Sequence, residues 1–95
     1  MKHYFIANIK LTDEREYRKY LDRCDEVFAK FNGKYLAVDK NPRVLEGTWD
    51  YSRAVIIEFP SEEEFLKWYY SDEYREIIEY RLKGAGCDTI LVRGK

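Results

Sequence analysis

The chain has 95 residues, with 17 Lys plus Arg against 18 Asp plus Glu and a formal net charge of −1. This is one domain's worth of sequence, since domains run from about 50 to 250 residues, and its charges alternate in sign, without the basic clustering of a nucleic-acid footprint. No apolar run approaches the roughly 20 residues that cross a bilayer, so neither a nucleic acid nor a membrane is expected as a partner.

The N-terminus looks like a signal peptide for only four residues before Asn8 and Lys10 interrupt it, and no cleavage pattern follows. The expectation is a cytoplasmic protein. A chain of this size buries roughly 60–65 % of its surface and gains stability from association. Tyrosine is over-represented, with nine copies beside five Phe and two Trp. Its apolar body and polar tip suit pocket walls and subunit contacts. Cys24 and Cys87 lack CxxC or Cys/His spacing, so no metal site is expected and both read as buried reduced thiols.

In chain order, residues 3–11 alternate as a strand. Phe5, Ala7, Ile9 and Leu11 lie on one face, Tyr4 and Ile6 on the other. Asp13 with Glu16 forms an N-cap signal for a helix running to about Asn32. Tyr17, Tyr20, Leu21, Cys24, Val27, Phe28 and Phe31 make its apolar stripe, and Gly33 reads as a left-handed cap. Residues 34–39 form a second strand. Lys40-Asn41-Pro42 has turn chemistry, and residues 43–48 are expected to resume extended structure. Arg53–Phe59, rich in β-branched residues, is the clearest strand. Ser61 and Glu64 open a second helix with Phe65, Leu66, Trp68 and Tyr69 on its apolar face. Ser71-Asp72 re-caps the chain into a third helix to about Lys83, with Tyr74, Ile77, Ile78 and Leu82 inward. Gly84-Ala85-Gly86 breaks it, and residues 88–93 form the last strand.

The order β-α-β-β-α-β defines an α+β, ferredoxin-like domain spanning residues 1–95, with a four-stranded antiparallel sheet and helices on one face. The strands are apolar on both faces. A half-solvated sheet would alternate apolar with polar, so the open face is expected to be covered by a second copy, making a homodimer.

The segments Leu45-Glu46-Gly47-Thr48-Trp49, Arg53, Ile57-Glu58-Phe59-Pro60-Ser61 and Trp68-Tyr69-x-Ser71-x-x-Tyr74 resemble the domain of unknown function 1330 family. Tyr17-x-x-Tyr20 and Phe31-Asn32-Gly33-Lys34-Tyr35-Leu36-Ala37 resemble its first helix and second strand. The resemblance spans nearly the whole chain. Ser71-Asp72 departs from the family's usual Ser-Pro, and Asn32-Gly33 from its usual Gly-Gly. It implies a dimeric α+β barrel, in a superfamily that includes cofactor-independent monooxygenases and isomerases. Fold alone carries no function.

A cleft between helices and sheet is the natural ligand site. Tyr17, Trp49, Trp68, Tyr69 and Tyr74 are the aromatic candidates for its lining, and Arg53 and Arg81 the candidate anion clamps. Glu58, in an apolar strand, is a candidate acid/base or an ion-pair partner for Arg43, Arg53 or a lysine of another subunit. His3, the only histidine, is a second candidate acid/base. No phosphate loop, nucleophile elbow or cofactor motif is present. Three readings follow: a homodimeric small-molecule-binding domain; a cofactor-independent oxygenase or isomerase acting on a small acidic or phenolic compound; and a structural dimerisation module.

Overall fold

Alternating side chains place four strands in one antiparallel sheet of order β2-β3-β1-β4, in a computed structural model describing residues 1–95. The elements are β1 (His3–Leu11), α1 (Glu14–Phe28), β2 (Lys34–Asp39), β3 (Arg53–Phe59), α2 (Glu62–Tyr69), α3 (Asp72–Gly84) and β4 (Ala85–Arg93). This is the ferredoxin-like βαββαβ arrangement expected from the sequence. No helix is long and apolar enough to cross a membrane.

Short polar side chains set the helix starts. Asp13 accepts hydrogen bonds from the Arg15 and Glu16 N–H groups, Ser61 from Glu64 N–H and Ser71 from Tyr74 N–H, each filling a donor that a helix start leaves free. α1 ends at Phe28, four residues before the expected Asn32, because the chain tightens into three-residue turns. Lys30 N–H donates to Val27 O, and Phe31 N–H to Phe28 O. Gly33 is not a left-handed cap, since its φ is not positive. Glycine is needed there for closeness: a Cβ would stand 2.5 Å from Phe28 Cζ and 2.8 Å from Phe59 Cε1.

Residues 43–48 do not form a strand. β3 already pairs with β1 on one side and β2 on the other, and Gly47, at φ 83°, breaks the extended run. Leu82, expected inward on α3, is 60 % exposed. The buried stripe runs through Tyr74, Ile77, Ile78 and Arg81, which keeps the i, i+3, i+4, i+7 spacing of one helical face.

The two sheet faces differ. Toward the helices point Phe5, Ala7 and Ile9 of β1 and Ile57 and Phe59 of β3, all buried. On the other face Ile6 pairs with Ile56 and Ile90, and Tyr4 with Val92. No helix covers that face, and Ile90 is 59 % exposed.

The helix-side core is an aromatic cluster. Trp68 stacks on Phe59 at 5.5 Å and lies 4.2 Å from Tyr74, centroid to centroid, while Phe5 packs on Phe65 at 5.4 Å. α2 and α3 seal this end of the sheet. α1 leans on α3 and makes few contacts with the strands, leaving space between itself and β2 and β3.

Candidate functional site

That space is a cavity of ≈ 480 Å³. Its floor is Phe5, Ala7 and Ile9 of β1, Val55 and Ile57 of β3, and Val38 of β2. Its roof is one face of α1: Tyr17, Tyr20, Leu21, Cys24 and Asp25. Arg53 opens β3 at one edge, Trp68 and Arg81 reach in from α2 and α3, and Tyr35 of β2 closes the side below Phe28, with ring centroids 4.5 Å apart.

The polar groups are few and placed by the fold. The Arg53 guanidinium lies over the Tyr17 ring, 5.2 Å from its centroid. Arg81 is buried to 3 % exposure on the inner face of α3. Both pull the Tyr17 hydroxyl toward ionisation, but burial dominates and holds its pKa up, at about 12. Burial likewise raises Tyr20 well above its ordinary range; its hydroxyl shares a hydrogen bond of 2.8 Å with Tyr74. Burial, then the neighbouring Asp25 carboxylate, raises the Cys24 thiol to about 11. Burial pushes Tyr35 up as well. These hydroxyls and the thiol are protonated at neutral pH, so they act there as hydrogen-bonding groups and not as bases. Asp25, exposed at the rim, is the one carboxylate among the lining residues.

Of the candidates read from the sequence, Tyr17, Arg53, Trp68 and Arg81 meet at this cavity. Tyr74 sits one layer deeper, fully buried between Trp68 and Tyr20. Tyr69 packs on Phe65 and under the Arg75 guanidinium, 4.6 Å from its ring, within the aromatic core. Trp49 lies on the loop before β3, against Tyr51 at 4.8 Å, outside the cavity lining. Ser52, at the end of that loop, is tied to β1, its N–H donating to Ile9 O and its hydroxyl accepting from Leu11 N–H.

The two acid/base candidates also lie elsewhere. Glu58 faces the open side of the sheet, opposite the cavity, where it pairs with Lys2 at 2.9 Å and with neither Arg43 nor Arg53. Strand alternation decides this: Glu58 is an odd number of residues from each of Arg53, Val55 and Ile57, so it points to the opposite face. His3 is buried at the far end of β1, its ring Nδ1 3.1 Å from Met1 O, and it is not among the cavity residues. Sequence reasoning missed Tyr20, Cys24, Asp25 and Tyr35. The first two belong to the α1 stripe already visible in the periodicity, but a stripe does not show where its helix stands off the sheet.

The fold and this arrangement define a ferredoxin-like α+β domain carrying an apolar cavity edged by two arginines. The chain belongs to the family described as a domain of unknown function (DUF1330), matched over residues 2–95. No curated protein matches it. Among solved structures it is similar to a protein of unknown function from Rhodopseudomonas palustris, with a TM-score of 0.81 and 20 % identity, covering 99 % of this chain and 82 % of that one. It is also similar to a dimeric ferredoxin-like protein of unknown function from Jannaschia sp., with a TM-score of 0.80 and 8 % identity, covering 99 % and 100 %. A third is SnoaB, a cofactor-independent oxygenase from Streptomyces nogalater, with a TM-score of 0.70 and 13 % identity, covering 99 % and 93 %. At these identities the likeness is one of fold.

Proposed function

We propose that this protein is a homodimeric domain that binds a small, largely apolar molecule in the cavity between α1 and the sheet. The cavity carries the reading. At ≈ 480 Å³, with 12 of its 15 lining residues hydrophobic, it falls in the range of about 300–1,000 Å³ typical of ligand sites and shares their composition, apolar walls with a few polar anchors. A structural module would fill such a space with side chains, because protein interiors pack at crystal-like density.

The test is saturable binding of bicyclic aromatic compounds, followed by amide chemical shifts. Expected is saturation with shifts centred on Tyr17, Tyr20, Val38 and Val55; absence of saturable binding by any member of the set overturns the reading. Val55→Trp offers an orthogonal check. In an open cavity the indole occupies the ligand's place, abolishing binding with little loss of stability. In a filled core the same change costs about 1–3 kcal/mol through overpacking.

Dimerisation through the open sheet face is supported by its apolar strand pairs, Ile6 with Ile56 and Ile90. The dimeric ferredoxin-like relative offers a precedent on the same fold.

A second reading, a cofactor-independent oxygenase or isomerase, draws on the Tyr17 hydroxyl beside two guanidiniums, a set suited to stabilising an oxyanion, and on the likeness to SnoaB. It is the weaker one, because Tyr17, Tyr20, Tyr35 and Cys24 are all held protonated at neutral pH by burial, and a general base needs a pKa near the working pH. Turnover of a bound phenol or enol by the purified protein, with oxygen uptake or isomer formation, would establish it over simple binding.

A further inference from the structure

The electrostatics of the cavity are unbalanced. The ion pairs of this protein are Lys2–Glu58, Lys10–Asp50, Lys19–Glu16, Arg23–Glu76, Lys30–Glu73 and Lys67–Glu64. Arg53 and Arg81 belong to none of them. The Nε atoms of both are buried and lack a hydrogen-bond partner, although guanidinium carries five donors and keeps its charge in proteins. Arg81 is buried and Arg53 half-buried, and buried charges are ordinarily paired, since an unpaired one forfeits its hydration without compensation. Both side chains edge the same cavity, both act electrostatically on the Tyr17 hydroxyl, and the Arg53 guanidinium lies over the Tyr17 ring. Two guanidiniums less the rim carboxylate of Asp25 leave one net positive charge facing an otherwise apolar space.

Resting on the cavity being a ligand site, we propose that its ligand is a small aromatic or alicyclic monocarboxylate, whose carboxylate is taken by Arg53 and Arg81 with the Tyr17 hydroxyl as a further donor. Its ring lies on Val55 and Ile57 under Tyr20 and Leu21. The planar fork of guanidinium matches a carboxylate through paired N–H donors. A phosphate fits poorly. Phosphate sites are built from backbone N–H groups at helix starts and glycine-rich loops, and this cavity meets α1 at its middle turns and is otherwise walled by apolar side chains. The missing counter-charge is thus part of the recognition: the ligand completes ion pairs that the protein leaves open.

Calorimetric titration of the full chain with 2-naphthoate and with 2-naphthamide, its neutral near-isostere, tests this. Expected is naphthoate binding about tenfold or more tighter than the amide, the worth of one charge-assisted pair. Arg81→Met and Arg53→Gln should each weaken naphthoate binding by more than they weaken amide binding, so that the acid preference shrinks in each. Equal affinity of the two compounds for the unaltered protein overturns the carboxylate assignment and leaves the cavity reading in place. Binding of neither compound overturns both. Retention of the full acid preference in both variants also overturns it. Should Arg81→Met fail to fold, the unaltered protein and Arg53→Gln decide the matter.

Discussion

Arg81 sits on the inner face of α3 at 3 % exposure with no ion-pair partner, a position that stability alone would give to a leucine or methionine. Replacing buried ionic groups by well-packed apolar side chains of similar volume is often neutral or stabilising, by about 1–4 kcal/mol. Arg81→Met is therefore expected to keep or raise the free energy of unfolding in urea while removing carboxylate binding. A loss above about 2 kcal/mol would mark Arg81 as structural. The buried hydroxyls and the thiol make a second prediction. Burial raises Tyr17 to about 12 and Cys24 to about 11 from ordinary values of 10.0 and 9.0. Both groups are neutral acids whose folded state holds the proton more tightly than the unfolded chain. Their contribution is present in full below the unfolded values and is lost as pH rises through the folded ones. Urea unfolding should thus show stability nearly level up to pH ~9 and falling steeply between roughly 9 and 12. A level profile through that window would show that these side chains ionise in place. At this scale the sequence singled out Tyr17, Arg53, Trp68 and Arg81, which all line the cavity. Which sheet face Glu58 occupies was not legible in the sequence, and the register puts it opposite the cavity, paired with Lys2.

At the scale of elements, periodicity and capping were legible and helix ends were not. α3 shows why a single substitution in hydropathy misleads: Leu82 fits the stripe by composition, Arg81 by angle, and angle prevails because the helix presents residues 74, 77, 78 and 81 to the core. The seam between α1 and α3 rests on Gly84. A Cβ there would lie 2.4 Å from the backbone N of Tyr17 and 2.9 Å from Asp13 O, and Gly84 O accepts from the N–H groups of both Thr12 and Asp13. The atoms in the way are main chain and cannot rotate aside. Gly84→Ala is expected to cost about 3 kcal/mol or more, read from chemical denaturation, by pushing the start of α1 off α3. Gly84→Ala at wild-type stability would mean that α1 is free to shift, and with it the cavity roof.

At the scale of the molecule, one sheet separates two apolar surfaces with different fates. The helix-side surface holds both the aromatic core and the cavity. The other surface is held by no part of this chain. Ile90 lies there at 59 % exposure on the edge strand β4, where a charge is harmless to an isolated chain and prohibitive within a buried interface. Ile90→Asp is expected to halve the molar mass measured by light scattering while leaving the circular dichroism spectrum unchanged. A protein whose mass is that of one chain before the substitution would remove the case for dimerisation.

The sequence by itself determined the βαββαβ order, the two-faced apolar character of the sheet, the caps at Asp13, Ser61 and Ser71, and the family, because these depend on periods of 2 and 3.6 residues and on short polar side chains acting within a few residues of themselves. Only the tertiary structure decided that α1 leans on α3 and leaves a space between its inner face and the sheet, that Arg53 and Arg81 both line that space, and that Trp49, Glu58 and His3 do not. Those outcomes depend on distances between residues far apart in the chain, set by how closely Gly33 and Gly84 let neighbouring elements approach, and no local pattern encodes a gap between two elements.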